Sequence, residues 1–175
     1  MIYFQPLTLT QKEEYDRYLM NCGERGCEYS FANLFVWGRQ RAALVEGCMV
    51  IFSQFNRRSV YPFPIGAGDI KAALDAIIHD AKVRDIPCRL TSLTEEDQAL
   101  LESLYPDQFR FHHDRNSFDY LYNIEDLATL KGKKFQKKRN HLNRFWAEHP
   151  DYEVRELNNC NIHQALHMVD AWYRK

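Results

Sequence analysis

Lys131 to Trp146 reads KGKKFQKKRNHLNRFW, with seven Lys and Arg residues and no acidic one. Such side chains lower the energy of phosphate and carboxylate groups, Lys as a point charge and Arg as a planar two-pronged donor. Helical spacing puts Phe135, Leu142 and Trp146 on one face, which must pack on something. Lys134, Lys137, Lys138, His141 and Arg144 line a neighbouring face. Arg139 lies beside the apolar stripe, and Asn140 and Asn143 flank the opposite side. The candidate phosphate- or cofactor-binding set is therefore Lys134, Lys137, Lys138, Arg139 and Arg144, with Asn140 and Asn143 orienting. The spacing does not distinguish a nucleotide cofactor, an RNA backbone and a lipid headgroup. A solvated helix balancing an acidic domain would read the same way.

Gly66 and Gly68 form a lesser candidate, because a Gly-rich turn before a helix presents free N–H groups to an anion. Asp69 competes with that reading, since its carboxylate can cap the helix itself. His163 and His167, four apart with Asp170 nearby, have metal-ligand spacing, but a surface helix carries such spacing by chance, and no metal site is assigned. His112-His113-Asp114 has no identified Ser or Cys partner for a hydrolase triad. The aromatics between residues 28 and 63 read as core rather than as a base-stacking platform. No catalytic residue is assigned.

The 175 residues suffice for one domain plus a fragment, and 45% hydrophobic with 14% aromatic content supplies a packed core. The net charge of -1 hides a dipolar chain. Residues 1–130 carry 13 Lys/Arg against 19 Asp/Glu (-6), residues 131–144 carry +7, and residues 145–175 carry 3 against 5 (-2). Five cysteines, an odd number without paired metal-site spacing, fit a reducing cytoplasm. The N-terminal MIYFQPLTLTQKEEYD has no signal-peptide pattern, and no apolar run is long enough for a membrane span.

The elements that must position the basic stretch follow from periodicity. Residues 2–7 read as an edge strand, and Thr10-Gln11-Lys12-Glu13 as a capping box opening a helix. Residues 30–37 read as a largely buried helix. Strands 42–45 and 48–54 join through a Glu46-Gly47 hairpin turn, and an irregular strand spans 60–65. A helix opens at Asp69 and runs to about residue 84, a strand covers 88–93, and a Thr94-capped helix ends at Pro106. Strands are predicted at 109–113 and 118–122, a short helix at 124–130, the basic helix at 135–148, a strand at 152–157 and a half-amphipathic helix from 161 to 175. The fold class is α+β, a mixed sheet flanked by helices.

That order resembles the GNAT (acyl-CoA N-acyltransferase) fold. Cys27 to Gly38 (CEYSFANLFVWG) and Leu130 to Phe145 (LKGKKFQKKRNHLNRF) are similar to the family that shares its fold with the C-terminal domain of phosphatidylglycerol lysyltransferase. That family is built as two tandem GNAT-like domains related to the Fem peptidoglycan aminoacyltransferases. The resemblance implies a GNAT-like domain at 1–123, a basic helical connector at 124–150, and at 151–175 the first strand and helix of a truncated second domain. It implies the N-terminal part of an acyl- or aminoacyltransferase, with acyl-CoA or aminoacyl-tRNA as donor and an amine or hydroxyl as acceptor. Implied partners are tRNA or CoA, an anionic lipid headgroup, and the rest of the second domain in cis. The alternative is a non-enzymatic anion- or RNA-binding module on a degenerate GNAT domain. The GNAT pyrophosphate loop would fall at Pro64 to Asp69, where this chain keeps two glycines, lacks the usual basic or Gln residue and adds Asp69.

Overall fold

The apolar run from Cys48 to Phe52 lies in the strand on which the fold is built, because its side chains are buried on both faces. The computed structural model describes residues 1–23, 25–37, 40–55 and 58–174. Gly38, which ends one of the stretches quoted above, and Lys175 lie outside the described residues. In chain order the first elements are β1 (Gln5–Pro6), α1 (Lys12–Leu19), α2 (Phe31–Val36), β2 (Arg41–Val45) and β3 (Cys48–Phe55). There follow β4 (Arg58–Pro62), β5 (Ile65–Gly66), α3 (Ile70–Val83), β6 (Leu90–Thr91) and α4 (Glu95–Leu104).

Along β3, Met49 and Ile51 pack with Tyr15 and Leu19 of α1 and with Phe31 and Leu34 of α2. Cys48, Val50 and Phe52 pack with Ala73, Ile77 and Ala81 of α3. The period of two thus feeds two cores, one on each face of the sheet. A third cluster joins Phe63 and Leu74 to Leu101 and Tyr105. Burying each of these aliphatic or aromatic side chains contributes about 1.5–3 kcal/mol.

The sheet order is β1-β2-β3-β4-β6, with β5 pairing β3 off that path. β1, β2, β3 and β4 are antiparallel neighbours, whereas β4 and β6 run parallel, Tyr61 opposite Leu90. β3 changes partner along its length, pairing β4 at Ser53–Phe55 and β5 at Cys48–Met49. Pro62 ends β4 and Pro64 lies in the break before β5; neither has an N–H to donate to a ladder. The β2–β3 turn forms at Glu46-Gly47 with φ of 50 and 75, the paired left-handed values of a two-residue I′ turn.

Several expected elements differ. Neither 109–113 nor 118–122 forms a strand or pairs with a described strand, and residues Arg115–Ser117 between them are a 3-10 turn. Phe109 and Phe111 instead pack against the α3–α4 cluster. Residues 152–157 also form no strand. The capping box at Thr10 does not form: the chain makes a 3-10 turn at Leu9–Gln11, Thr8 Oγ1 engages the side chains of Thr10 and Gln11, and α1 starts at Lys12 without a side-chain cap. The strand expected at 88–93 shortens to Leu90–Thr91. α2 buries Phe31 and Leu34, but Val36 and Trp37 at its end are 72% and 76% exposed, so it is less buried than its composition suggested.

Met1–Asp119 is one compact unit and Tyr120–Lys175 a second. The second carries α5 (Ile124–Thr129), α6 (Gln136–Glu148) and α7 (Ile162–Tyr173). Phe135 is its buried residue among those described. No helix among the described residues is long and apolar enough to cross a membrane.

Candidate anion-binding site

The basic helix is placed by a sharp stop before it. α5 ends at Leu130 in the left-handed region, φ 49, and Gly132 follows at φ 89, a value glycine adopts without strain. A 3-10 turn over Lys133–Phe135 leads into α6, which has no side-chain cap and no acidic residue in its first turn. Its first N–H groups and their positive end of the helix dipole therefore face the Lys-rich segment without a carboxylate.

The seven predicted residues divide by what they touch. Arg139 donates through Nη1 to the carbonyl oxygens of Leu130 and Gly132, the latter at 2.8 Å. Its guanidinium thus satisfies the Leu130 carbonyl at the end of α5 and joins Phe135 N in donating to the carbonyl of Gly132. Lys134 pairs with Asp126 at 2.8 Å and lies over the Phe135 ring at 4.8 Å. Lys138 lies over the Tyr122 ring at 5.2 Å. Arg144 pairs with Glu148 one turn on at 3.0 Å. Lys137 is exposed with no carboxylate partner among the described residues, and Asn140 and Asn143 are exposed as well. Lys137, Asn140, His141 and Arg144, at i, i+3, i+4 and i+7, form one exposed stripe. A shallow hollow of about 490 Å³ lined by Phe145, Glu148, His149, Pro150, Asp151 and Tyr152 lies at the other end of α6.

The Gly66–Gly68 turn is shaped by the β2–β3 hairpin. An added Cβ at Gly66, φ 139, would meet Gly47 O at 2.7 Å, and one at Gly68 would meet Glu46 O at 2.0 Å. Asp69 N donates to Glu46 O at 3.0 Å, and Asp69 Oδ1 accepts from Ala72 N at 2.9 Å, so the carboxylate caps α3. The atoms that crowd Gly68, Glu46 O and the Cα and carbonyl carbon of Gly47, are backbone, which cannot swing aside. Gly68→Ala is expected to cost about 1–3 kcal/mol in chemical denaturation; a variant as stable as the parent would show that the turn moves away freely.

His163, His167 and Asp170 lie exposed on α7. Among the described residues, a group that could hold a metal lies elsewhere: one ligand atom each of Cys27, Glu28 and Asp119 fall within 4.8 Å of one another. Burial, Glu28 and Asp119 together push the Cys27 thiol pKa up, which disfavours thiolate. Asp119 is 92 residues from Cys27, so no local spacing announces this group. The sequence also gave no signal of the Arg25–Asp97 pair, at 2.7 and 2.9 Å, which fastens the segment before Cys27 to the first turn of α4.

The chain matches the family described as phosphatidylglycerol lysyltransferase, C-terminal, over residues 20–175. It is similar to a conserved protein of unknown function from Bacteroides thetaiotaomicron, known from a crystal structure, at 35% identity and a TM-score of 0.83. That likeness covers 99% of this chain and 60% of the other, so the chain spans about three-fifths of that protein's length. No curated protein matches it.

Proposed function

Because the chain belongs to the phosphatidylglycerol lysyltransferase C-terminal family, we propose that it is part of a GNAT-type acyl- or aminoacyltransferase. Residues 1–123 form the first GNAT-like domain, 124–150 the basic connector, and 151–175 the start of a second such domain. The donor is an acyl-CoA or an aminoacyl-tRNA, and its phosphates lie against α6. The acceptor is an amine or a hydroxyl. Its lone pair attacks the donor carbonyl, the thioester or ribose ester bond breaks, and the leaving sulfur or oxygen takes up the proton. The chain contributes positioning and charge stabilisation to that transfer.

The observation that carries this reading is the stripe of Lys137, Asn140, His141 and Arg144, two cations and two further polar groups on one exposed face. Lys134 and Lys138 widen the positive field, Arg139 holds α6 in place from α5, and Asn143 extends the amide surface. The mixed sheet, with helices on both faces and β4 and β6 parallel, supports the GNAT assignment.

The test is thermal stability and direct binding with acetyl-CoA and with bulk tRNA, each at low and moderate salt. A CoA site gives a saturable stabilisation that survives salt. A tRNA site gives affinity that falls steeply with salt. Lys137→Glu with Arg144→Glu is expected to weaken the productive ligand at least about tenfold at unchanged fold. Failure of both ligands to bind overturns the reading.

A further inference from the structure

We infer that the Pro64–Asp69 turn of the first unit is a clasp between the β2–β3 hairpin and α3, closed to the pyrophosphate of an acyl-CoA. This rests on the GNAT reading above, since that fold class brings CoA to this turn. A pyrophosphate held by such a turn needs glycine faces open to it, free N–H groups and a positive field. The residues present fit none of these needs.

The glycine faces are filled by the protein itself. Where a Cβ would stand at Gly68 lie Glu46 O and the carbonyl carbon and Cα of Gly47, at 2.0 to 2.7 Å. At Gly66 lie Gly47 O at 2.7 Å and Cys48 Cα at 3.1 Å. Gly66 also pairs with Cys48 in the β5–β3 ladder. Both glycines therefore let backbone pack on backbone, which is a structural use of the missing side chain.

The donors and the charge are committed as well. Asp69 N is bonded to Glu46 O, and Ala72 N to the Asp69 carboxylate. That carboxylate sits at the positive end of α3, where a phosphate would have to replace it. Nor is there a free cation nearby in the chain. No Lys or Arg lies between Arg58 and Lys71. Lys71 is paired with Asp75 at 2.7 Å and lies over the Tyr105 ring. Any phosphate contact of a CoA donor is thus left to α6.

The experiment is a residue-resolved amide spectrum of the 15N-labelled chain, titrated with CoA and with inorganic pyrophosphate at low salt. The amides of residues 66–72 are expected to stay in place up to a large excess of either probe. Saturable shifts there overturn the inference. Shifts confined to 133–144, or none at all, uphold it. Those last two outcomes differ for the α6 reading, which gains CoA in the first and loses it in the second. Amide hydrogen exchange tests the clasp directly. Asp69→Ala should speed exchange at Ala72 N–H roughly fivefold, the equivalent of a typical helix cap. Equal exchange in parent and variant would show that the carboxylate does not hold the helix end, and would overturn the inference.

Discussion

Asp80→Ala is expected to destabilise the first unit by about 3–5 kcal/mol, the cost of removing one partner from a buried charge pair. Asp80 is 0% exposed although it sits on the apolar face of α3. Its carboxylate accepts from Ile2 N at 2.7 Å, Tyr61 Oη at 2.9 Å and Arg84 Nε at 2.6 Å. Arg84 also donates to Ile2 O at 2.9 Å and lies over the rings of Phe4 and Phe52. One carboxylate thus fastens the N-terminal segment, a central strand and a helix. Alanine leaves three donors without their acceptor, each costing about 1–3 kcal/mol when buried. Asp80→Asn keeps an acceptor and loses the charge, so its cost is smaller. Equilibrium denaturation of the two variants separates these terms.

The same carboxylate sets a direction with pH. Burial by itself would raise the Asp80 pKa, but the hydrogen bonds from Arg84, Ile2 N and Tyr61 outweigh it, and the pKa lies below the ordinary value of 3.8. A depressed carboxylate pKa stabilises the fold above the unfolded-state pKa, and that stability is lost as pH falls through the folded one. Asp80 therefore contributes to acid unfolding below about pH 4. Asp80→Asn should flatten the stability curve there and leave its shape at neutral pH unchanged.

Much of the first unit was legible because its signals are local. The Glu46-Gly47 turn needed only two residues of the right kind, and the α3 face follows from Ala73, Leu74, Ile77 and Ala81 at helical spacing. Thr94 caps α4, with Asp97 returning the bond to Thr94 N. Other expectations failed for want of a partner. The alternation in 109–113 and 152–157 suits a strand, but a strand requires a neighbour, and a sequence pattern does not supply one. Thr10 had the capping-box spacing, yet the hydroxyl of Thr8 engages it first. In the basic segment the positive charge was plain from composition. Which cations are neutralised was not, since the acceptors of Arg139 are backbone carbonyls exposed by left-handed turns at Leu130 and Gly132. The Cys27, Glu28 and Asp119 group was invisible for the simpler reason that its members are far apart in the chain.

Arg25→Ala is the second large effect, with an expected cost of about 3 kcal/mol and a fall in Tm of roughly 6–12 °C. The Arg25 side chain is 11% exposed and that of Asp97 9%, and they share two hydrogen bonds. Arg25 also donates to Cys22 O and lies between the rings of Tyr29 and Phe63, at 5.2 and 5.4 Å. Tyr29 Oη donates to Phe63 O at 3.0 Å, and burial pushes its pKa well above the ordinary tyrosine value. The guanidinium therefore joins the segment entering α2 to the end of β4 and to α4. Alanine removes that stacking and leaves the Asp97 carboxylate with the Thr94 N–H alone. Arg25→Met retains the apolar stem and should recover part of the loss, since much of the side chain packs as hydrocarbon. A double-mutant cycle of Arg25→Met with Asp97→Asn isolates the ionic part, with an expected coupling of about 1–3 kcal/mol. A coupling near zero would assign the whole effect to ring packing. Asp97→Asn keeps the cap on α4, so its separate cost shows how much of the α4 start depends on charge rather than on the hydrogen bond to Thr94.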